Sequence, residues 1–125
     1  MSATDAAIFL VKAEESLSGA ESEFANSRYN NCANRCYYSC YQAAIYGLLV
    51  TGIAPRGQRV QWEHSFVQAA FIGELLNRRK HYPASLRDVL GKNLGLRVKG
   101  DYEPSQVTQI EASRALQRVR EFGSL

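Results

Sequence analysis

The segment from residue 34 to residue 42 carries polar and aromatic side chains that could bind an anionic ligand. It contains one arginine, one asparagine, one glutamine and three tyrosines in a stretch that has no other charge. If the segment is helical, Arg35, Tyr38 and Gln42 share one face, because they lie three, four and seven residues apart. The pattern predicts a polar site on a helix whose remaining residues are typical of a core.

The charge of Arg35 requires either a partner or a cleft, because an unpaired charge inside a core helix is costly. An acid on another helix, such as Asp101 or Glu74, is one kind of partner. The other alternative is that the guanidinium group faces a ligand. The sequence leaves both alternatives open.

A second polar cluster lies between residues 97 and 104, where Arg97, Lys99, Asp101 and Tyr102 follow one another closely. We expect a turn over residues 101–105, which would place this cluster between two helices. The cluster is either an ordinary charged loop or a second part of an anion-binding site.

The cysteines and histidines do not form a recognisable metal site. Cys32, Cys36 and Cys40 stand at four-residue intervals, so a helix spreads their backbones over about 12 Å. One zinc ion holds its sulfur ligands at roughly 2.3 Å and could not gather all three. We therefore expect small core side chains and predict neither a metal nor a cofactor. His64 and His81 have no carboxylate or nucleophile at a spacing that indicates a catalytic pair.

Length and composition favour one folded domain over residues 1–125. The chain is 46% hydrophobic and 22% charged with three prolines, which excludes wholesale disorder and disulfide-rich frameworks. Its net charge of +3 is too small to require a nucleic acid partner. Residues 28–99, however, hold eleven Arg or Lys against three acids, which predicts a basic face suited to an anionic ligand.

The cellular location is expected to be the cytoplasm. The apolar run over residues 6–11 is short and is followed by charged residues, so no secretory signal is predicted. Residues 36–55 lack charge, but their strongly apolar part covers only residues 43–50. A membrane-spanning helix needs about 20 predominantly apolar residues. We expect a buried core helix and no membrane span.

Hydrophobic spacing of three and four residues predicts helices throughout and gives no sign of a strand. The capping-box pattern of Thr108 and Glu111 marks the start of the last helix. A shorter helix should begin at Ser85 and end raggedly among Gly91, Gly95 and Gly100. The other helices are expected over residues 5–25, 28–51 (ended by Gly52) and 63–79, the last broken at residues 81–83. The fold class is therefore all-α, a four- to five-helix up-and-down bundle.

The two polar segments resemble the HEPN family (higher eukaryotes and prokaryotes nucleotide-binding domain), especially its small stand-alone prokaryotic members. The second helix of those proteins reads like S-R-A-Y-Y-A-x-F-H-A-A-x-x-L-L. Residues 34–44 (N-R-C-Y-Y-S-C-Y-Q-A-A), followed by Leu48-Leu49, are similar to it. The family also shows R-x-x-A-D-Y before a last helix that begins v-t-x-e-e-A. Residues 97–102 (R-V-K-G-D-Y) and 107–112 (V-T-Q-I-E-A) resemble that pattern, and the resemblance spans residues 4–122.

The resemblance implies a helical bundle that forms a homodimer with a basic cleft. Many members are metal-independent ribonucleases with an R-x4–6-H pair and act as toxins beside a minimal nucleotidyltransferase antitoxin. In this chain Gln42 stands where the second-helix motif often has histidine, and the segment after Arg97 has none. Because glutamine does not titrate, we expect RNA cleavage to be slow or absent.

The sequence thus favours a cytoplasmic homodimer that binds nucleotide or RNA phosphate, acting with a nucleotidyltransferase partner in a toxin–antitoxin or defence module. No catalytic residue is assigned, and Asp101 and Tyr102 are expected at the rim of the cleft. The residues expected to bind phosphate or nucleotide are Asn34, Arg35, Tyr38, Gln42, Arg97 and Lys99.

Two alternative functions and an open role for Tyr102 accompany this interpretation. The protein is an active ribonuclease that uses His64 or His81 brought in across the dimer, or it is a structural partner whose cleft is closed by an Arg35–Asp101 pair. Tyr102 is either a target for adenylylation by the partner, as the resemblance implies, or a ring packed under the last helix.

Overall fold

The computed structural model describes residues 3–55, 62–78, 86 and 88–123, and these residues form five helices and no strand. Residues 64–78 form one helix in two parts, because the α-helix His64–Ala70 continues with π-helical winding over Phe71–Arg78. The all-α prediction is confirmed. The helices are α1 (Ala3–Ala25), α2 (Tyr29–Val50), α3 (His64–Ala70, continuing to Arg78), α4 (Val89–Tyr102) and α5 (Gln109–Gly123).

Helix α2 is the centre of the bundle and packs against every other helix. It is antiparallel to α1, since Gln42 contacts Ser16 in the middle of α1 and the earlier residue Arg35 contacts Gly19 further along α1. It is also antiparallel to α4, since Asn34 meets Asp101 and Cys40 meets Asn93. The α2–α4 pairing brings the two polar segments of the sequence side by side.

The ends of α1 and α2 share one type of cap. Gly52, with φ +78°, follows α2, and the amide of Ile53 donates to Leu48 O at 2.9 Å. This Schellman motif confirms Gly52 as the residue that ends α2. Ser27 takes the same left-handed conformation after α1, with φ 61°. The Ser27 cap was missed from the sequence, because glycine is the usual residue at that position.

The predicted ragged end of the fourth helix was wrong. Helix α4 continues through Gly95 and Gly100 to Tyr102, so residues 101 and 102 belong to the helix and not to a turn. Gly100 lies where α4 approaches the start of α2, and a Cβ atom there would come within 3.3 Å of Asn30 backbone atoms. Close packing therefore explains this glycine. Because the helix continues, Arg97 and Asp101 lie one turn apart on the same face.

The three cysteines are fully buried in the core, as predicted. Within residues 3–55, 62–78, 86 and 88–123, no three His, Cys, Asp or Glu side chains form a group that could hold a metal ion. No helix in the same ranges is long and apolar enough to cross a membrane. Most of the predicted loop over residues 55–58 lies outside the described residues. The same is true of His81, of the predicted break at residues 81–83 and of the predicted cap at Ser85.

Removing the hydroxyl of Thr108 should destabilise the protein. The predicted capping box is present: Glu111 N donates to Thr108 Oγ1 at 3.1 Å, and Thr108 N donates to Glu111 Oε1 at 3.0 Å. We expect Thr108→Ala to lower the free energy of unfolding by about 1 kcal/mol, measured by urea denaturation. Ser105→Ala, an exposed position outside the helices, is the control. An equal effect of both variants would contradict the assignment.

Candidate functional site

A polar and aromatic site lies between α2 and α4, with one wall completed by the start of α3. Helix α2 contributes four neighbouring residues and a fifth one turn later, and α4 contributes three from its last two turns. We call it the α2–α4 site. Its members are Asn34, Arg35, Tyr37, Tyr38, Tyr41, His64, Arg97, Asp101 and Tyr102.

Arg97 lies at the centre of the α2–α4 site, against the faces of three tyrosines. Its guanidinium carbon is 5.4 Å from the ring centroid of Tyr37, 5.7 Å from Tyr38 and 6.0 Å from Tyr102. Such cation–π contacts favour the charged side chain in a partly desolvated position. Arg97 is accordingly only 14% exposed, so its cation is held in place by aromatic rings.

The hydrogen bonds of Arg97 to the protein are incomplete. Its Nη1 atom donates to Asp101 Oδ2 at 3.3 Å. Its Nε atom is buried and has no partner among the described residues. A guanidinium group has five N–H donors, and unsatisfied buried donors cost free energy. Arg97 is therefore suited to an additional anionic acceptor.

Arg35 reaches Asp101 only through Asn34. Arg35 donates from Nε and Nη2 to Asn34 Oδ1, at 3.0 and 2.7 Å. Asn34 Nδ2 in turn donates to Asp101 Oδ2 at 3.1 Å. The direct Arg35–Asp101 pair of the structural alternative is not formed, and no described carboxylate lies within ion-pair distance of Arg35. Asp101 is therefore bonded directly to Arg97 and, through Asn34, indirectly to Arg35.

Tyr38 connects the two cations. The guanidinium carbon of Arg35 is 5.2 Å from the centroid of its ring, and that of Arg97 is 5.7 Å from the same centroid. Two like charges beside one ring repel each other, and Asp101 compensates one of them. The site therefore attracts negative charge, most strongly near Tyr38.

His64, at the start of α3, adds a titratable group to the same site. Its Nδ1 atom is hydrogen-bonded to the hydroxyl of Tyr37, and its ring lies 4.8 Å from that of Tyr41. Burial lowers the pKa of His64 below its usual range, and the charge of Arg97 lowers it further. Burial also raises the pKa of Tyr41 to about 12 and raises that of Tyr37. At neutral pH the site therefore holds a neutral imidazole beside protonated phenols.

The position of His64 could not be found from the sequence. It is 27 residues from Tyr37 along the chain, and no motif spacing connects them. From the sequence, His64 enters only as a residue brought in across a dimer. The fold instead places it on Tyr37 and Tyr41 of its own chain, because the start of α3 packs on the tyrosine face of α2.

Two residues that the sequence assigned to phosphate binding are bonded to other helices. The Gln42 amide has its nitrogen toward the carbonyl oxygens of Lys12 (2.9 Å) and Tyr38 (3.1 Å), since the opposite orientation would face oxygen with oxygen. Gln42 therefore links α2 with α1. Lys99 forms an ion pair with Glu111 at 2.8 Å, which directs it toward α5 and away from Arg97.

Tyr102 lies at the outer rim of the α2–α4 site and is 75% exposed. The alternative that its ring packs under the last helix is wrong. Its position follows from the extension of α4, which ends with Tyr102 pointing its ring past Arg97 into solvent. An exposed ring beside a cation can stack on a planar ligand such as a nucleobase.

Comparison with known proteins supports the resemblance in the sequence. The model of the HEPN domain family matches residues 6–125, almost the whole chain. No curated protein matches the chain.

The protonation of His64 provides a test of the site in the free protein. We expect its imidazole signals in an NMR titration to report a pKa below 6.5, and Arg97→Gln to raise that pKa by removing a nearby positive charge. His81→Gln assigns the signals of the two histidines. Because the folded pKa is the lower one, the folded state binds fewer protons than the unfolded state between the two pKa values, and stability should fall as the pH drops from about 6.5 to the folded pKa. An unchanged pKa in Arg97→Gln would contradict the proximity of the two residues.

Proposed function

We propose that this chain, which belongs to the HEPN domain family, binds the phosphate of a nucleotide or of RNA at the α2–α4 site. The observation that carries the proposal is the pair of arginines on Tyr38, with a single carboxylate between them. Arg35 and Arg97 would hold the phosphate through charge-assisted hydrogen bonds. HEPN domains are generally linked to RNA-binding or nuclease roles, which agrees with this ligand class.

The aromatic side chains of the site would hold the nucleoside. Tyr38 already has the guanidinium groups of Arg35 and Arg97 near its ring, whereas Tyr102 has only that of Arg97 and leaves much of its ring open to solvent. Stacking of a base on such a ring contributes roughly 1–3 kcal/mol to binding, whichever base it is. Asn34 would keep Arg35 oriented. Asp101 would hold Arg97 in place, and a bound phosphate would accept hydrogen bonds from the N–H groups of Arg97 alongside Asp101.

Charge removal at Arg97 or Arg35 should weaken nucleotide binding. A hydrogen bond to a charged group contributes about 1.5–3 kcal/mol, so Arg97→Gln and Arg35→Gln should each reduce the affinity for 5′-AMP about tenfold or more. Isothermal titration calorimetry measures this effect. Arg120→Gln is the matched control, because it removes the same charge from an exposed position whose nearest acid, Glu21, is 4.0 Å away.

An equal loss of affinity in the control variant and in the site variants would contradict the proposal. If Arg120→Gln weakens binding as much as Arg97→Gln, the net charge of the protein and not the α2–α4 site governs the affinity. Thermal denaturation of each variant shows whether a loss of binding reflects unfolding.

A metal-independent ribonuclease is the second function that the site supports, and the observation that favours it is the contact of His64 with Tyr37 beside Arg97. The 2′-hydroxyl oxygen of RNA would attack the adjacent phosphorus and transfer its proton to His64. The bond from phosphorus to the 5′ oxygen would break, that oxygen would take a proton from water, and His64 would release its proton to the solvent. Arg97 would stabilise the charge on the phosphate oxygens. Tyr37 would fix the orientation of the imidazole.

If the protein cleaves RNA, His64→Gln should slow the reaction by a factor of about 10²–10⁴, the usual contribution of general acid–base catalysis. Cleavage of total RNA by purified protein with EDTA present measures this effect. His81→Gln serves as the control with the other histidine. Cleavage that survives His64→Gln but is lost in His81→Gln would transfer the role to His81, and binding without cleavage would leave only the first function.

We also propose that the protein is a cytoplasmic homodimer and the partner of a minimal nucleotidyltransferase in a toxin–antitoxin or defence module. Exposed apolar side chains on α1, such as Ile8 and Val11, are suited to a contact between protein surfaces. The exposure of Tyr102 allows a modifying enzyme to reach its hydroxyl. Adenylylation there would place a phosphate beside Arg97 and occupy the anion site.

Native mass spectrometry of the protein co-expressed with a neighbouring nucleotidyltransferase tests both parts of this proposal. We expect a particle of twice the 14.0 kDa chain mass and a gain of one AMP group per chain. Tyr102→Phe should abolish the gain, and Tyr29→Phe should preserve it. A monomer, or a mass that stays unchanged beside an active enzyme, would contradict the corresponding part.

A further inference from the structure

A second basic groove lies on the opposite side of α4 from the α2–α4 site. It runs between α4 and α5 and has a volume of about 380 Å³. Its α4 residues stand three or four positions apart, on the helix face opposite Arg97 and Asp101. We call it the α4–α5 groove. Its charged lining residues are Lys92, Lys99, Glu103, Glu111, Arg114 and Arg118.

Arg118 lies in this groove without a compensating acid. It is half-buried, and among the described residues no carboxylate lies within ion-pair distance of it. Burial, together with the like charge of Arg114, lowers the pKa of Arg118 from its ordinary value. A partly desolvated cation in such surroundings favours an anionic ligand.

A buried hydrogen-bonded chain fixes the guanidinium group. Arg118 Nε donates to Asn93 Oδ1 at 2.8 Å, and Asn93 Nδ2 donates to Cys40 Sγ at 3.4 Å. Asn93 is fully buried, and burying an amide is costly unless its hydrogen bonds are satisfied. The amide oxygen of Asn93 is thus committed to Arg118. The Nη atoms of Arg118, which Asn93 does not engage, are left for a ligand in the groove.

The acids of the groove leave an excess of positive charge. Glu111 accepts hydrogen bonds from Lys99 and from the amide of Thr108, which hold the pKa of its carboxyl below the usual range. Glu111 therefore compensates Lys99 and caps α5. Glu103 is left as the single acid of the groove lining against Lys92, Arg114 and Arg118.

We propose that the α4–α5 groove is a second phosphate-binding site, which takes a phosphate group of a free nucleotide or of an RNA strand. Arg118 would donate to the phosphate oxygens, and Arg114 and Lys92 would add charge at the edge. The inference extends the proposed function but depends on different residues. It can therefore stand or fall independently of the α2–α4 site.

NMR titration of the full chain tests this proposal, with pyrophosphate and a ten-residue uridine RNA as probes. We expect amide signals of Gly95, Leu96 and Arg118 to shift with RNA, and with pyrophosphate if a free phosphate suffices. Arg118→Gln should suppress these shifts and reduce RNA affinity about tenfold. The exposed double change Lys92→Gln/Arg114→Gln provides the same test if Arg118→Gln does not fold. For each cation that no longer contacts a phosphate, the slope of log affinity against log salt concentration should become shallower by about 0.7 for a single strand.

Two controls separate the sites. Arg120→Gln, on the same helix, should leave the groove shifts unchanged, and Arg97→Gln should remove the shifts near Asn34 while preserving those near Gly95. Groove signals that respond to neither probe would overturn the proposal. A stronger response to poly-glutamate than to RNA would also overturn it and would assign the groove to an acidic protein partner.

Discussion

The position of Arg97 is the constraint on which the site depends. A guanidinium group that is 14% exposed must be compensated, and here the compensation comes from three tyrosine rings and one carboxylate. Two of those rings belong to α2, whereas Asp101 and Tyr102 belong to α4. The same contacts that stabilise the cation therefore dock α4 on α2, and the stability of the helix pair and the charge of the site have one origin.

Helix α2 supports this arrangement by presenting different residues to different neighbours. Its three cysteines, Ala33 and Ala44 are fully buried and let the surrounding helices approach closely. Tyr37 and Tyr38 face α3 and α4, where the hydroxyl group of Tyr37 meets His64 and both rings meet Arg97. Small side chains give the backbone a rigid position, and the large aromatic side chains then have defined positions from which to hold a cation. The buried Asn93 extends this principle to the other face of α4, where it orients Arg118.

Much of the fold could be predicted from the sequence, because local signals and tertiary packing agree. The capping box of Thr108 and the cap at Gly52 are local, and both occur as expected. The continuation of α4 through Gly100 could not be predicted, since a glycine that ends a helix and one that permits close helix packing look alike in a sequence. The site was found in part: Arg35, Asn34, Tyr38, Arg97 and Asp101 are brought together, whereas Gln42 and Lys99 face other helices. His64 joins the site through tertiary packing alone, which leaves no pattern in the sequence.

A crystal structure of the protein with a bound dinucleotide tests the central claim most directly. The account predicts phosphate oxygens within hydrogen-bond distance of both Arg97 and Arg35, with a base on the ring of Tyr102. Asp101 would then share the donors of Arg97 with the phosphate. A dinucleotide bound only in the α4–α5 groove, with the Arg97–Asp101 pair unchanged and Arg35 still bonded to Asn34 alone, would contradict the account.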